Sequence, residues 1–245
     1  MKRSPFEHLR RLVNARRLGV SFGRRSTFRM PAKIRLGGRE VAITAPEEQG
    51  ARCDFVTCFL SDEYALGKIR FPVTTIADIG ANVGFFSMAA SARFPAAKIH
   101  AYEPNPRVHP FLRANLGAVG VPMYPEAVGA RAGWVQIHDT AESNAASTTP
   151  AGEGNGVPQV SLGEVIERLG GRVDLVKMDC EGAEWEMFTE PEPWKRIREV
   201  RMEYHLSGGR TFADVRAALS GLGFEIHHHR PEESMGTIFA KNRAR

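Results

Sequence analysis

Five points along the 245-residue chain join acidic side chains or glycines to the end of an apolar run. The first is Asp78-Ile79-Gly80-Ala81-Asn82-Val83-Gly84, entered through "TTIA". The second is Tyr102-Glu103-Pro104-Asn105-Pro106, and the third is Glu126-Ala127-Val128-Gly129. The fourth, Lys177-Met178-Asp179-Cys180-Glu181-Gly182-Ala183-Glu184, follows "VDLV", and the fifth is Glu203-Tyr204-His205. Glycines at 80 and 84 leave a turn bare, so a ligand can touch backbone and a helix can pack close. A carboxylate ending the next strand, as Glu103 does, is placed to accept hydrogen bonds from both hydroxyls of a ribose. Asn82 stands where a dinucleotide fingerprint needs its second glycine, and no G-x-x-x-x-G-K-[ST] loop occurs. Asp78 would also repel a phosphate. The expected ligand is therefore a nucleoside with a positive or zwitterionic tail, a description that S-adenosylmethionine meets.

These points need elements to hold them. Strand-like runs occur at 74–79, 98–103, 121–124, 173–178, 197–204, 224–229 and 236–241. Helical patterns lie between them near 83–93, 107–119, 161–169, 182–190 and 211–221. The alternation predicts an α/β, Rossmann-like fold: βαβ units with a mostly parallel sheet covered on both faces. In such a sheet ligands bind beyond the carboxyl ends of the strands, where the five points fall. The last two strands are joined only by "RPEESM", too short for a parallel crossover, so the final strand should run antiparallel. "WVQIHD" at 134–139 reads as an extra strand, and the Ser/Thr/Gly-rich segment 140–157 as a long mobile loop. Residues 1–70 read as a basic arm and small cap ahead of a domain at 71–245. Within the cap, a hairpin turns at Gly37-Gly38, and "SDEYALGKI" reads as a helix with Ser61 as N-cap. His227, His228 and His229 should alternate faces along a strand, which argues against a metal cluster.

"IADIGANVGFFSMAA", "IHAYEPNP", "PEAVG" and "VDLVKMDCEGAEWEMF" together resemble the FkbM-type family of S-adenosylmethionine-dependent methyltransferases. The likeness runs over roughly residues 60–242, and Lys-x-Asp-x-Glu-Gly-x-Glu is its most specific block. It implies a class I methyltransferase fold: seven strands, the last antiparallel. It also implies S-adenosylmethionine as cofactor and transfer to a hydroxyl of a sugar, glycolipid or glycosylated small molecule. A polyketide or lipid hydroxyl, or a nitrogen, is the alternative acceptor. Carried over, Asp78 and Gly80 would line the methionine moiety, Glu103 the ribose, and Glu126 with Ala127 the adenine edge. Asn82, Gly84, Phe85 and Pro104 complete the expected cofactor site.

A sugar hydroxyl is a poor nucleophile at neutral pH and needs a base, or a metal to lower its pKa. His205 is the expected base, since an ordinary imidazole accepts a proton near pH 7. Asp179 and Glu181 are expected to touch reacting groups, and Glu203 to touch substrate. Together with His205 these carboxylates also read as a site for Mg²⁺ or a similar cation. Lys177 and Glu184 read as scaffold, and Trp185 as packing. Tyr64 and the loop 140–157 are expected lids, with Ser143 and Asn144 reaching a polyol.

Residues 1–40 hold twelve Lys/Arg against two Glu, leaving 21 basic and 26 acidic side chains elsewhere. Phe6, Leu9 and Val13 fall at helical spacing among arginines. This basic amphipathic helix could meet an anionic membrane, phosphorylated substrates or nucleic acid. The expectation is instead a packing helix with a solvated basic face, because the arm lacks interleaved aromatics. The acidic remainder argues against nucleic acid as a partner. Three cysteines without metal spacing, no apolar leader and no run of eighteen apolar residues make the cytoplasm the expected location.

Overall fold

The computed structural model describes residues 5–23, 28–138, 140 and 147–244. The chain opens with α1 (Pro5–Leu18), the hairpin β1 (Lys33–Leu36) and β2 (Arg39–Ala42), and α2 (Gln49–Phe55). A π-helical turn at Val56–Leu60 and a short 3₁₀ turn at Leu66–Lys68 follow. Then come β3 (Thr75–Ile79), α3 (Phe85–Arg93), β4 (Lys98–Tyr102), α4 (His109–Gly117) and β5 (Met123–Tyr124). Four further strands are β6 (Ala127–Gly129), β7 (Gly133–His138), β8 (Ser147–Ala151) and β9 (Val157–Ser161). The remainder is α5 (Leu162–Arg168), β10 (Val173–Met178), α6 (Glu184–Met187), α7 (Pro191–Trp194), β11 (Ile197–His205), α8 (Phe212–Gly221), β12 (Phe224–Pro231) and β13 (Met235–Asn242).

The central sheet has seven strands in the order β12-β13-β11-β10-β3-β4-β5. Strands β3, β4, β5, β10 and β11 are mutually parallel, and β13 runs antiparallel to both β11 and β12. This is the class I methyltransferase topology with its reversed last strand. β3 and β10 lie at the centre and are almost wholly buried, as parallel strands covered on both faces must be. The chain order reverses between β3 and β10, since β4 lies on one side and β10 on the other. A crevice opens at that switch point.

Elsewhere the structure corrects the expected pattern. "SDEYALGKI" is not a helix. The helical stretch lies earlier, at Gln49–Leu60, and Ser61 ends it. Asp62 and Ala65 take positive φ of 43° and 48°, and the Asp62 carboxylate accepts the N–H groups of Leu66 and Gly67. That side chain satisfies the amides that a helix start would leave open. The segment 140–157 is not one long loop, because β8 pairs with β7 and β7 with β9 in a second, four-stranded sheet. Alternation of the three histidines also fails, because the register slips between Ile226 and His228. His227 is the extra residue of a bulge, and it shares the Phe239 side of the sheet with His228. His229 stacks on Phe212 and meets the Tyr204 hydroxyl.

The N-terminal elements share a core with the sheet's flanking helix. Phe28, Phe55, Phe59 and Phe85 pack in series, with ring centroids 5.1–5.7 Å apart. This plants α2 over the amino end of α3, beside the crevice. Among the described residues, no helix is long and apolar enough to cross a membrane.

Candidate active site

Three strand ends are laced together at Gly80. The amides of Gly80 and Ala81 both donate to the Tyr102 carbonyl at 3.0 Å, and the Asp179 amide donates to the Ile79 carbonyl at 3.0 Å. The ammonium of Lys177 donates to the Gly80 carbonyl. Gly80 has φ 74°, and a Cβ there would sit 1.8 Å from the Asp179 carbonyl oxygen. Only a glycine lets β3 and β10 close to this distance while the chain turns left-handed.

Beyond the turn lies a cavity of about 390 Å³, a volume in the range of small-molecule sites. Glu103 stands in its wall. One carboxylate oxygen accepts the Asn105 amide and the other the Asn82 amide, each at 2.8 Å. Each oxygen keeps a lone pair for a ribose hydroxyl, so the residue fits the nucleoside role. Burial pushes Glu103 up to about 7, against the pull of the two amides and Lys177. Gly80, Asn82, Phe85 and Pro104 line the same cavity, as do Glu126 and Ala127 further along. Glu126 is held by Arg168, whose guanidinium lies over the Tyr124 ring at 5.2 Å.

Two expected cofactor residues do not reach the cavity. Asp78 is buried beneath its floor, where it accepts the Ser87 hydroxyl at 2.6 Å and faces Lys177 at 3.5 Å. Its role is to back the turn, and it offers no surface to a phosphate. Gly84 starts α3 with φ 87° and packs against Leu112 and Leu116. Phe85 lines the cavity, but its ring belongs to the phenylalanine series of the cap.

The other end of the cavity is acidic. Ligand atoms of Asp179, Glu181, Glu203 and His205 lie within 4.8 Å of one another. His205 sits behind the carboxylates: Nε2 is 3.3 Å from Glu181 and 3.6 Å from Glu203, and Nδ1 is 3.4 Å from Glu184. Burial alone would lower its pKa, but Glu184, Glu203 and the charge on Glu181 outweigh burial and push it to about 11. At neutral pH His205 is therefore an imidazolium, so the expected base is unavailable in this setting. It acts as the cation that lets the carboxylates converge. A divalent cation could take the same part between Asp179, Glu181 and Glu203, with His205 as a further ligand only once it has given up its proton. Glu181 is pushed up to about 8, first by burial and then by Asp179.

The sign of the His205 effect is testable. Its folded pKa lies above the ordinary value, so its contribution to stability is full below about pH 6.5 and is lost as pH rises toward 11. Heteronuclear NMR of the imidazole should show it still protonated at pH 9. A titration midpoint near 6.5 would refute the clamp.

The scaffold residues hold as their chemistry suggests. Glu184 is buried and ties the Gly182 amide (2.9 Å) to the His205 amide (2.7 Å). Trp185 donates to the His205 carbonyl at 2.8 Å and packs on Phe188. Burial raises the Cys180 thiol well above its usual range, which suits an inert position. Tyr64 is not a free lid: it packs edge-on against Phe86, its carbonyl receives Arg201, and its hydroxyl faces Asp179 at 3.4 Å. Ser143 and Asn144 lie outside the described residues.

Several cavity residues escaped sequence reasoning. Asp54 on α2 accepts the Asn82 side-chain amide at 2.7 Å, and burial followed by Asp179 pushes it up to about 7. A lone acidic residue in the apolar "CDFVTCFL" was the available signal. Thr148 arrives from β8, and Arg230 and Thr237 from the last hairpin.

The family profile described as "Methyltransferase FkbM domain" matches residues 78–226. The chain belongs to the FkbM methyltransferase family. It is similar to Methyltransferase sdnD of Sordaria araneosa, 28% identical over 64% of this chain and 76% of that one. It is also similar to the 31-O-demethyl-FK506 methyltransferase FkbM of Streptomyces tacrolimicus, 27% identical over 63% of this chain and 74% of that one. Among solved structures, the precorrin-6y C5,15-methyltransferase of Geobacter metallireducens GS-15 aligns over 81% of this chain and 93% of its own, at 16% identity and TM-score 0.48. As an FkbM-type methyltransferase the protein uses S-adenosylmethionine, and the Gly80 turn with Glu103 provides a cradle of suitable donors and acceptors for it.

Proposed function

We propose that this FkbM-type enzyme methylates a hydroxyl group of a sugar, glycolipid or glycosylated small molecule. The observation that carries the reading is the division of one cavity. Its nucleoside-compatible end, at Gly80 and Glu103, faces an acceptor end built from Asp179, Glu181, Glu203 and the Tyr64 hydroxyl. Carboxyl groups converging on a hollow suit a polyol, whose hydroxyls both donate and accept and so match ionised and protonated carboxyls alike. The relative named for a 31-O-demethyl substrate supports oxygen over nitrogen. The acidic surroundings weigh against nucleic acid.

When bound, S-adenosylmethionine supplies an electrophilic methyl group. The residues of this chain hold, align and deprotonate. Glu103 grips the ribose, and the Gly80 backbone fixes the floor. The carboxylates of Asp179, Glu181 and Glu203 orient the acceptor and take its proton, while His205 keeps their mutual repulsion in check. The cap helix and Tyr64 exclude water, which favours a displacement whose charges cancel as it proceeds.

Candidate glycans incubated with enzyme and labelled methyl donor should gain one methyl on an oxygen, read by mass spectrometry. Labelling confined to nitrogen acceptors would overturn the reading. Because Glu181 stays protonated below about pH 8, turnover should rise with pH through that region. Glu181→Gln should flatten that limb and lower kcat about 10²-fold or more, a typical worth for general base catalysis. An unchanged pH profile in this variant would remove Glu181 from the proton path.

A further inference from the structure

Helix α1 packs the wrong way round for a simple amphipathic helix. Its inward face carries Arg11, Ala15 and Leu18, all buried. The Arg11 guanidinium donates to the Ser61 hydroxyl at 2.7 Å and pairs with Glu63 at 3.7 Å. Asn14 donates to the Leu60 carbonyl at 2.9 Å. Among the described residues, the large apolar side chains that stand exposed all belong to the outward face of this helix: Phe6 82%, Leu9 58%, Val13 42% and Leu12 38%. They follow at steps of three and four residues, and exposed Arg16 and Arg17 continue the same face for a further turn.

We propose that this face docks the enzyme on an anionic lipid bilayer. A helix that turns its leucine and valine side chains outward and ends in arginine is suited to lie in the interfacial plane, with apolar groups at the acyl boundary and cations among headgroups. Charge selects the occupant. Residues 1–40 carry twelve Lys/Arg against two Glu, so the same face on a second copy would be repelled. A nucleic acid would match the arginines but would leave Leu9, Leu12 and Val13 without an apolar partner. The dock is fastened to the site, because Glu63, held by Arg11, also pairs with Arg230 at 3.0 Å, and both line the cavity. The inference stands whether or not the acceptor is itself a lipid.

The full-length chain should co-sediment with vesicles of phosphatidylcholine mixed with phosphatidylglycerol, and not with phosphatidylcholine alone. Raising the salt should release it. Leu9→Ser with Val13→Ser should weaken binding roughly tenfold or more through lost insertion. Arg16→Gln with Arg17→Gln should weaken it by roughly tenfold or more through lost headgroup attraction. Both double variants should melt at the parent temperature, since the altered side chains are exposed. Three results would each overturn the proposal: no vesicle binding, equal binding by the variants, or lipid-free self-association that the Leu9/Val13 variant abolishes. Tighter binding to a short RNA or DNA than to anionic vesicles would also overturn it, in favour of a nucleic-acid arm.

Discussion

Gly80→Ala is expected to cost the protein about 3 kcal/mol or more, and its cofactor site with it. Two penalties coincide at this position. The backbone sits at φ 74°, where an L side chain is strained by roughly 1–3 kcal/mol. The added methyl would also stand 1.8 Å from the Asp179 carbonyl oxygen. That neighbour is backbone, held by the Asp179 amide on Ile79, so it cannot swing aside as a side-chain tip would. Overpacking of this kind costs roughly another 1–3 kcal/mol. For a chain of this size the melting temperature should fall by about 6–12 °C. Gly38→Ala is the control: it shares a positive φ, 83°, but a Cβ there meets nothing within 4 Å. Circular dichroism melts of the two variants separate the terms. If Gly80→Ala melts no lower than Gly38→Ala, the close approach of β3 and β10 is not what the turn requires.

That turn also shows what could be read from the chain alone. Fully buried parallel strands are continuous apolar runs, so "TTIADI" and "VDLVKM" announce themselves, and the residue types at their ends announce a site. The reversed last strand followed from the length of one link. Both are local facts. What failed was settled by distant partners. Ser61 reads as a helix N-cap, yet it ends the helical stretch before it, and its hydroxyl accepts from Arg11, fifty residues away. "STTPA" reads as loop by composition, yet β7 offers it a ladder. α1 shows its apolar spacing plainly, but the spacing does not say which face packs, and Ser61 with Glu63 capture Arg11.

His205 is the sharper lesson about the site. Its type and its place at a strand end were legible, and both point to a base. Its proton affinity depends on Glu181, Glu184 and Glu203, the first from the loop after β10, the second from the start of α6 and the third from β11 itself. Three carboxylates around one imidazole reverse the role from acceptor to fixed cation. Asp78 went the same way: it ends the strand that enters the Gly80 turn, but its side chain points under the floor, to Ser87 and Lys177. A motif locates a turn more securely than it says which atoms of that turn face the ligand.

Glu103→Gln tests the cofactor site through two readouts, the pH dependence of stability and the affinity for cofactor. In the free protein, burial holds the Glu103 carboxyl at about 7, above the usual carboxylate range. Its ionised form therefore costs stability: the contribution is most favourable below about pH 4.5 and is lost as pH rises through 7. The glutamine has nothing to ionise, so its stability should lack this fall with pH, while its amide, which can accept only one of the Asn82 and Asn105 N–H groups, costs a constant amount at every pH. Affinity reads the same carboxylate from the ligand side. The ionised carboxylate accepts the amides of Asn82 and Asn105 at 2.8 Å and keeps lone pairs for two ribose hydroxyls. Hydrogen bonds to a charged group are worth about 1.5–3 kcal/mol each, and every 1.4 kcal/mol is tenfold in Kd. Glu103→Ala should weaken S-adenosylmethionine binding by about 10²-fold or more, and Glu103→Gln by less. Calorimetric titration alongside thermal melts distinguishes the cases. A Gln variant whose stability still falls between pH 4.5 and 7 as steeply as the parent's would show that Glu103 is not the group that burial holds at about 7. Unchanged affinity would move the nucleoside out of this crevice altogether.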